Sequence, residues 1–271
     1  MFYEKYSSIL EIEVIDLESL LLAWLSYDGL LLFFIGVFAA IIGVLFGAAG
    51  FVLMPAMLLA GVPIHATIAA NKFATGISSF STIIFFVVKK KVSLKLMLPL
   101  MGIACVGGIS GAFLTTRLTE QTMNIVACIV LIAMFFLVLK GNKHLVIEDS
   151  TITPAKPTYI SPFFIGMYDG GFGPGSALLN ITYFLKKKSS YPKAVELTRF
   201  MMFASCMGAF TFYFFYGIVH WDIAIPVTVG SIIGSHMGLK VVPYIKGKWI
   251  QALLPIIFFV LIVQVVTDLI F

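Results

Sequence analysis

PFFIGMYDGGFGPGSALLNITYFLKKK, residues 162–188, is apolar enough to sit in a membrane, yet it holds Gly170, Gly171, Gly173, Pro174 and Gly175 behind Asp169. Glycine and proline weaken or break a helix. Irregular backbone at membrane depth is tolerated only where protein buries it or where it lines a cavity. A carboxylate beside such a break marks a functional site by default. The stretch therefore predicts a broken helical hairpin at the centre of a transport site.

Composition sets the surroundings of that hairpin. The 271 residues are 60% hydrophobic and 11% charged, with mean hydropathy +1.05, where a soluble domain carries about 25% charged residues. Long apolar runs between short polar loops predict an all-α polytopic membrane protein with no separate soluble domain. The net charge of +5 lies in loops between apolar runs, which excludes a nucleic-acid footprint. Cys105, Cys128 and Cys206 sit in apolar segments with no CxxC spacing, so they read as small core residues, and no metal site or cofactor is expected.

Four segments follow in order. Residues 1–28 form an acidic N-terminal segment, either an interfacial amphipathic helix or a leader to the first span. Residues 29–140 make a first membrane repeat, 141–158 a polar linker, and 159–271 a second membrane repeat. In the first repeat a 29–62 run is interrupted by Gly43, Gly47, Gly50 and Pro55, and spans are expected at 64–88, 96–115 and 121–139. In the second, the 160–185 stretch precedes spans at 194–217, 223–243 and 249–271. An offset of 127 residues places Lys72-Phe73 on Arg199-Phe200, Val92 on Val219, Pro99 on Pro226, and Gly107 and Gly111 on Gly234 and Gly238. For the broken stretches the offset is 123, with Gly43, Gly47 and Gly50 on Gly166, Gly170 and Gly173.

Lysines orient the repeats. If both broken stretches dip into the membrane and return, 14 of the 18 basic residues become cytoplasmic, Lys5 and Arg117 stay outside, and Lys72 and Arg199 lie within the membrane. The prediction is two repeats of inverted topology, each a re-entrant helical hairpin with arms of about 12 residues plus three transmembrane helices, and both termini extracytoplasmic. Secondary transporters share this pattern, with substrate held near the midplane between the repeats.

Lys72 and Arg199 occupy equivalent places. After each break, at Gly50 and at Gly173–Gly175, a half-helix starts at the midplane, and its free N–H groups and dipole attract anions. Two cations and two half-helix N-termini describe an anion cage, with Asn71 and Thr198 as further donors. The opposing view is structural: Glu196 neutralises Arg199 as its charge partner, and Asp169 does the same for Lys72. Asp169 is also the candidate proton carrier. Ser78, Ser79, Ser81 and Thr82 are assigned to helix packing, as are Gly107, Gly111, Gly234 and Gly238, and His236 to a hydrogen-bonded packing role.

YDGGFGPG (168–175), IGVLFGAAGFVLMPAMLLAG (42–61) and AANKFATGISSFST (69–82) resemble the TauE/SafE, or sulfite exporter, family of inner-membrane anion permeases. The resemblance runs from about residue 30 to the C-terminus. It implies a bacterial-type inner membrane and transport of sulfite, sulfoacetate or another organosulfonate anion. It also puts Asn71 and Lys72 in the first polar motif and Tyr168–Gly175 in the second-repeat loop. The chain departs from the expected second polar pattern at Thr198-Arg199-Phe200-Met201-Met202. Coupling to protons or to the membrane potential, and homo-oligomer formation, are left open.

Two rival classes are set beside this one. An anion channel or membrane scaffold leaves the paired cations without a coupling role. Gly108-Ile-Ser110-Gly111-Ala112 resembles the GxSG loop of rhomboid-type intramembrane proteases, with Ser110 as nucleophile and His236 as the base it needs.

Overall fold

The computed structural model describes residues 27–88, 94–119, 159–187 and 189–244, together with Thr122, Ile125 and Ile129, which are helical. The acidic segment before residue 27, the linker and the third expected span of each half (249–271, and 121–139 apart from those three residues) lie outside the described residues. So does Cys128.

Among the described residues there is no strand. The helices are α1 (Tyr27–Phe46), α2 (Ala49–Leu59), α3 (Ile64–Val88), α4 (Leu94–Thr115), α5 (Ile160–Gly171), α6 (Ser176–Lys186), α7 (Tyr191–Phe215) and α8 (Trp221–Val241), with a short 3₁₀ turn at Val242–Tyr244. By length and composition α1, α3, α4 and α8 suffice to cross a membrane. α7 matches α3 in length at 25 residues but carries Lys193, Glu196 and Arg199. Pro99 and Pro226 lie inside α4 and α8.

The two interrupted stretches break where glycine permits it. α5 ends at Gly171, Pro174 has no N–H to continue the ladder, and Gly173 (φ +93°) and Gly175 (φ +81°) turn the chain through the left-handed region. The first break falls at Gly47–Ala48, so α2 begins at Ala49 and Gly50 lies in its first turn rather than ahead of it. Arms of about 12 residues were expected. α5 and α6 have 12 and 11, but α1 has 20. A lone glycine costs a helix only about 1 kcal/mol, and both Gly36 and Gly43 sit within α1, which continues to Gly47.

Packing pairs the early helices with the late ones. α1 lies along α8, and α5 along α4; α3 packs on α7 and α8, and α7 also on α4. Both long contacts run parallel, with Gly230, Gly234 and Gly238 against Phe33, Val37 and Ile41, and Gly166 and Gly170 against Ala104 and Gly108. The far end of α6 (Ile181, Phe184, Leu185) returns to a core cluster with Met97, Leu100 and Ala104 of α4, and with Ile83 and Phe86 at the end of α3. The end of α2 shares another cluster with Leu32, Ala224 and Val227. The turns of the two broken stretches touch: a Cβ on Gly50 would lie 3.0 Å from Pro174 Cα, and one on Gly47 2.6 Å from Leu178 N.

The surface inverts the usual arrangement of a soluble protein. Phe34, Phe38, Ile84, Leu98, Val106, Ile109, Leu114 and Ile233 are exposed, whereas Lys72, Asp169, Arg199, Asn71 and Thr198 are buried. A broad apolar exterior of this kind faces lipid.

Lipid supplies no hydrophobic force between helices, so close backbone approach replaces it. A Cβ on Gly111 would lie 1.9 Å from Met167 O, and one on Gly170 2.0 Å from Gly108 O. Gly170→Ala must therefore separate α4 from α5, at a cost of about 1–3 kcal/mol. Exposed Gly102 has no neighbour within 4 Å of that position. Thermal unfolding of the detergent-purified protein should show a lowered Tm for Gly170→Ala and an unchanged or raised one for Gly102→Ala.

Candidate functional site

Each of the two inner helices, α3 and α7, carries one cation into the interior. Lys72 on α3 is 1% exposed, and its Nζ lies 3.2 Å from Oδ1 of Asp169, itself 1% exposed, near the end of α5. The carboxylate is held on all sides. Ser176 Oγ donates to Oδ1 at 2.6 Å, and Ser205 Oγ and the Cys206 thiol donate to Oδ2, the latter at 3.3 Å. A buried ion pair offsets its desolvation only when the remaining lone pairs are also satisfied, and here they are.

The backbone is shaped around this pair. A Cβ on Gly173 would lie 2.3 Å from Lys72 Nζ and 3.4 Å from Asn71 Nδ2, so the left-handed turn and the lysine both require glycine. Tyr168 hydroxyl donates to Pro174 O, which closes the turn, and Tyr213 hydroxyl donates to Gly170 O at 3.0 Å. Thr75 Oγ1 donates to Asn71 Oδ1 at 3.2 Å. Neither Ala48 nor Gly175, the caps of α2 and α6, makes a side-chain capping bond. Both helix starts meet in one cleft of about 250 Å³, its mouth included, lined by Gly47, Ala49, Gly50, Lys72, Asp169, Gly173 and Ser176 among others. Helix N-termini favour negative charge, and Asp169 supplies it from within the chain.

Arg199 lies elsewhere. It is 6% exposed, and its Nε has no hydrogen-bond partner. It lines a second cleft of about 260 Å³, mouth included, with Ala39, Ala40, Ala49, Leu53, Thr75, Ser78, Ser231 and Ser235. Ala49 and Thr75 border both clefts.

A helical membrane interior with broken helices and buried charge can be compared with known proteins. The model of the family described as "Sulfite exporter TauE/SafE" matches residues 32–265. The chain belongs to this family. Among its curated relatives are "Probable membrane transporter protein ORF9" of Sinorhizobium sp, 30% identical over 90% of this chain and 95% of the relative, and "Probable membrane transporter protein YfcA" of Escherichia coli K12, 26% identical over 88% and 89%. "Probable membrane transporter protein YdhB" of Bacillus subtilis is 27% identical over 78% of this chain and 87% of its own length. No solved structure matches the chain. As a TauE/SafE protein, this chain is a multi-pass membrane transporter.

Within this TauE/SafE chain, the residues expected to form one cage occupy two adjoining clefts. Lys72, Asn71, Gly50, Gly173 and Gly175 line the first, and Arg199 the second. Thr198 is buried with its hydroxyl unpartnered. Glu196 Oε2 meets Lys193 Nζ at 3.1 Å. Ser110 Oγ donates to Val106 O at 2.8 Å, and His236 Nε2 bonds Ser81 Oγ at 2.8 Å, so the structure does not bring the expected nucleophile and base together.

Three residues on Asp169 escaped the sequence reading: Ser176, Ser205 and Cys206. The repeat carried a signal for two of them, because the 127-residue offset puts Ser205 and Cys206 on Ser78 and Ser79. Ser78 lines the Arg199 cleft, although serines of that span were assigned to packing.

Removing one partner of a buried pair leaves an uncompensated charge and costs about 3–5 kcal/mol. Asp169→Asn and Lys72→Met should each lower thermal stability on that scale. Lys72→Met with Asp169→Asn together should recover most of the loss, and a double mutant no better than the sum of the singles would contradict the pairing.

Proposed function

We propose that this TauE/SafE protein is a secondary transporter of small sulfur-containing anions such as sulfite, sulfoacetate or another organosulfonate. The observation that carries the reading is the junction of the broken helices. Two helix N-termini without side-chain caps and two buried cations, Lys72 and Arg199, line adjoining clefts there. The printed family description, sulfite exporter, favours sulfur oxyanions among the anions such a site would take. Asn71, Thr198, Gly50, Gly173 and Gly175 complete the polar layer.

The two halves act as repeats of inverted topology, with both hairpins re-entrant. Support comes from the reciprocal packing of α1 on α8 and α5 on α4. It comes also from the return of α6 to Met97 and of α2 to Leu32. Rocking of one half against the other exposes the anion alternately to each side. The host is a bacterial inner membrane, with both termini extracytoplasmic.

With the inside negative, each 100 mV drives a monovalent anion outward by about 2.3 kcal/mol. Export therefore needs no coupling ion, whereas uptake requires one. Asp169 is the proton carrier in that case, since protonation would release Lys72.

Proteoliposomes loaded with sulfite or sulfoacetate test the reading. Efflux should exceed that of empty liposomes, rise with an outwardly directed electrical drive, and fall at least tenfold in Arg199→Ala and Lys72→Ala. Asp169→Asn should flatten the pH dependence of transport. An efflux rate equal to that of protein-free vesicles would sink the transporter assignment for these anions.

A further inference from the structure

Lys72 and Arg199 hold equivalent places at the 127-residue offset, yet their charges are met differently. Lys72 has Asp169 at 3.2 Å. The residue that the 123-residue offset aligns with Asp169 is Phe46, so the first break carries no carboxylate at the corresponding place. Among the described residues, no carboxylate lines the Arg199 cleft. Its other polar walls are hydroxyls: Thr75, Ser78, Ser231 and Ser235, the last 1% exposed with its Oγ unpartnered. One buried guanidinium with an orphan donor thus lines a small cleft together with an orphan hydroxyl. A guanidinium is a planar fork matched to oxyanions, and it stays charged when buried more readily than an ammonium does.

We propose that the Arg199 cleft is the standing anion subsite of the transporter, built for the oxyanion head of a sulfite or sulfonate. The Lys72 cleft meanwhile carries its own anion in Asp169. The assignment rests on the anion-transport reading above. Ser235 and Ser231 on α8, Ser78 on α3 and Arg199 on α7 hold the bound oxygens, so three helices from both halves close on a single head group. The walls beside these hydroxyls are small or apolar: Ala39, Ala40, Ala49 and Leu53.

Isothermal titration of the full-length protein in detergent, with sulfite and with methanesulfonate, tests this beside thermal unfolding. Wild type should bind one anion per chain and melt at a higher temperature with it. Arg199→Gln should weaken binding at least tenfold. Leu53→Glu places a carboxylate in the same cleft, as Asp169 does for Lys72, so this variant should fold with at least wild-type thermal stability and lose the anion. Should Arg199→Gln fail to fold, Leu53→Glu decides alone. Undiminished binding in a folded Arg199→Gln or Leu53→Glu overturns the Arg199 assignment and leaves anion transport standing. A wild type that melts cooperatively and binds neither anion overturns both.

Discussion

An ammonium and a carboxylate buried in a membrane protein must find each other or stay out, and the contact between Lys72 and Asp169 organises what surrounds it. The lysine comes from the first half of the chain and the aspartate from the second, 97 residues on. Its geometry dictates the neighbours. Gly173 has no side chain because Nζ occupies that space, and Ser176, Ser205 and Cys206 turn their donors to the carboxylate oxygens. The turn that would otherwise be exposed irregular backbone is thereby covered by α3 and α7, which is the condition for a broken helix at membrane depth.

Apolar burial alone would not assemble these helices, since lipid tails solvate leucine as well as another helix does. Glycines on α4, α5 and α8 let backbones approach to contact, and dispersion and short polar contacts accumulate along the seams. Large apolar side chains fill the core clusters and also cover the exterior. What remains polar is gathered inside, around the junction of the two breaks. The same distribution that turns an apolar surface to lipid gathers fixed donors and charges in a low-dielectric centre.

The relation between the halves is close in layout and unequal in chemistry. The prolines of α4 and α8, the seam glycines and the inner cations recur at fixed offsets. Aspartate in one half aligns with phenylalanine in the other, and Ser78 and Ser79 align with Ser205 and Cys206. Under the transport reading proposed above, such inequality would let one cation serve as an internal lock while the other stays available to substrate.

Membrane class, the two breaks and the interior placement of Lys72, Arg199 and Asp169 were legible in the sequence, because hydropathy, glycine–proline punctuation and internal periodicity are properties of local order along the chain. The boundaries of α3, Ile64–Val88, could be read directly for the same reason. Only the tertiary structure decided that α1 runs 20 residues before it breaks, that the two cations line separate clefts, and that Ser176, Ser205 and Cys206 converge on Asp169. Those outcomes depend on which remote backbones can approach within contact distance and on which remote side chains then meet in the interior. Neither is written in the spacing of residues along one segment; both arise when the segments are packed.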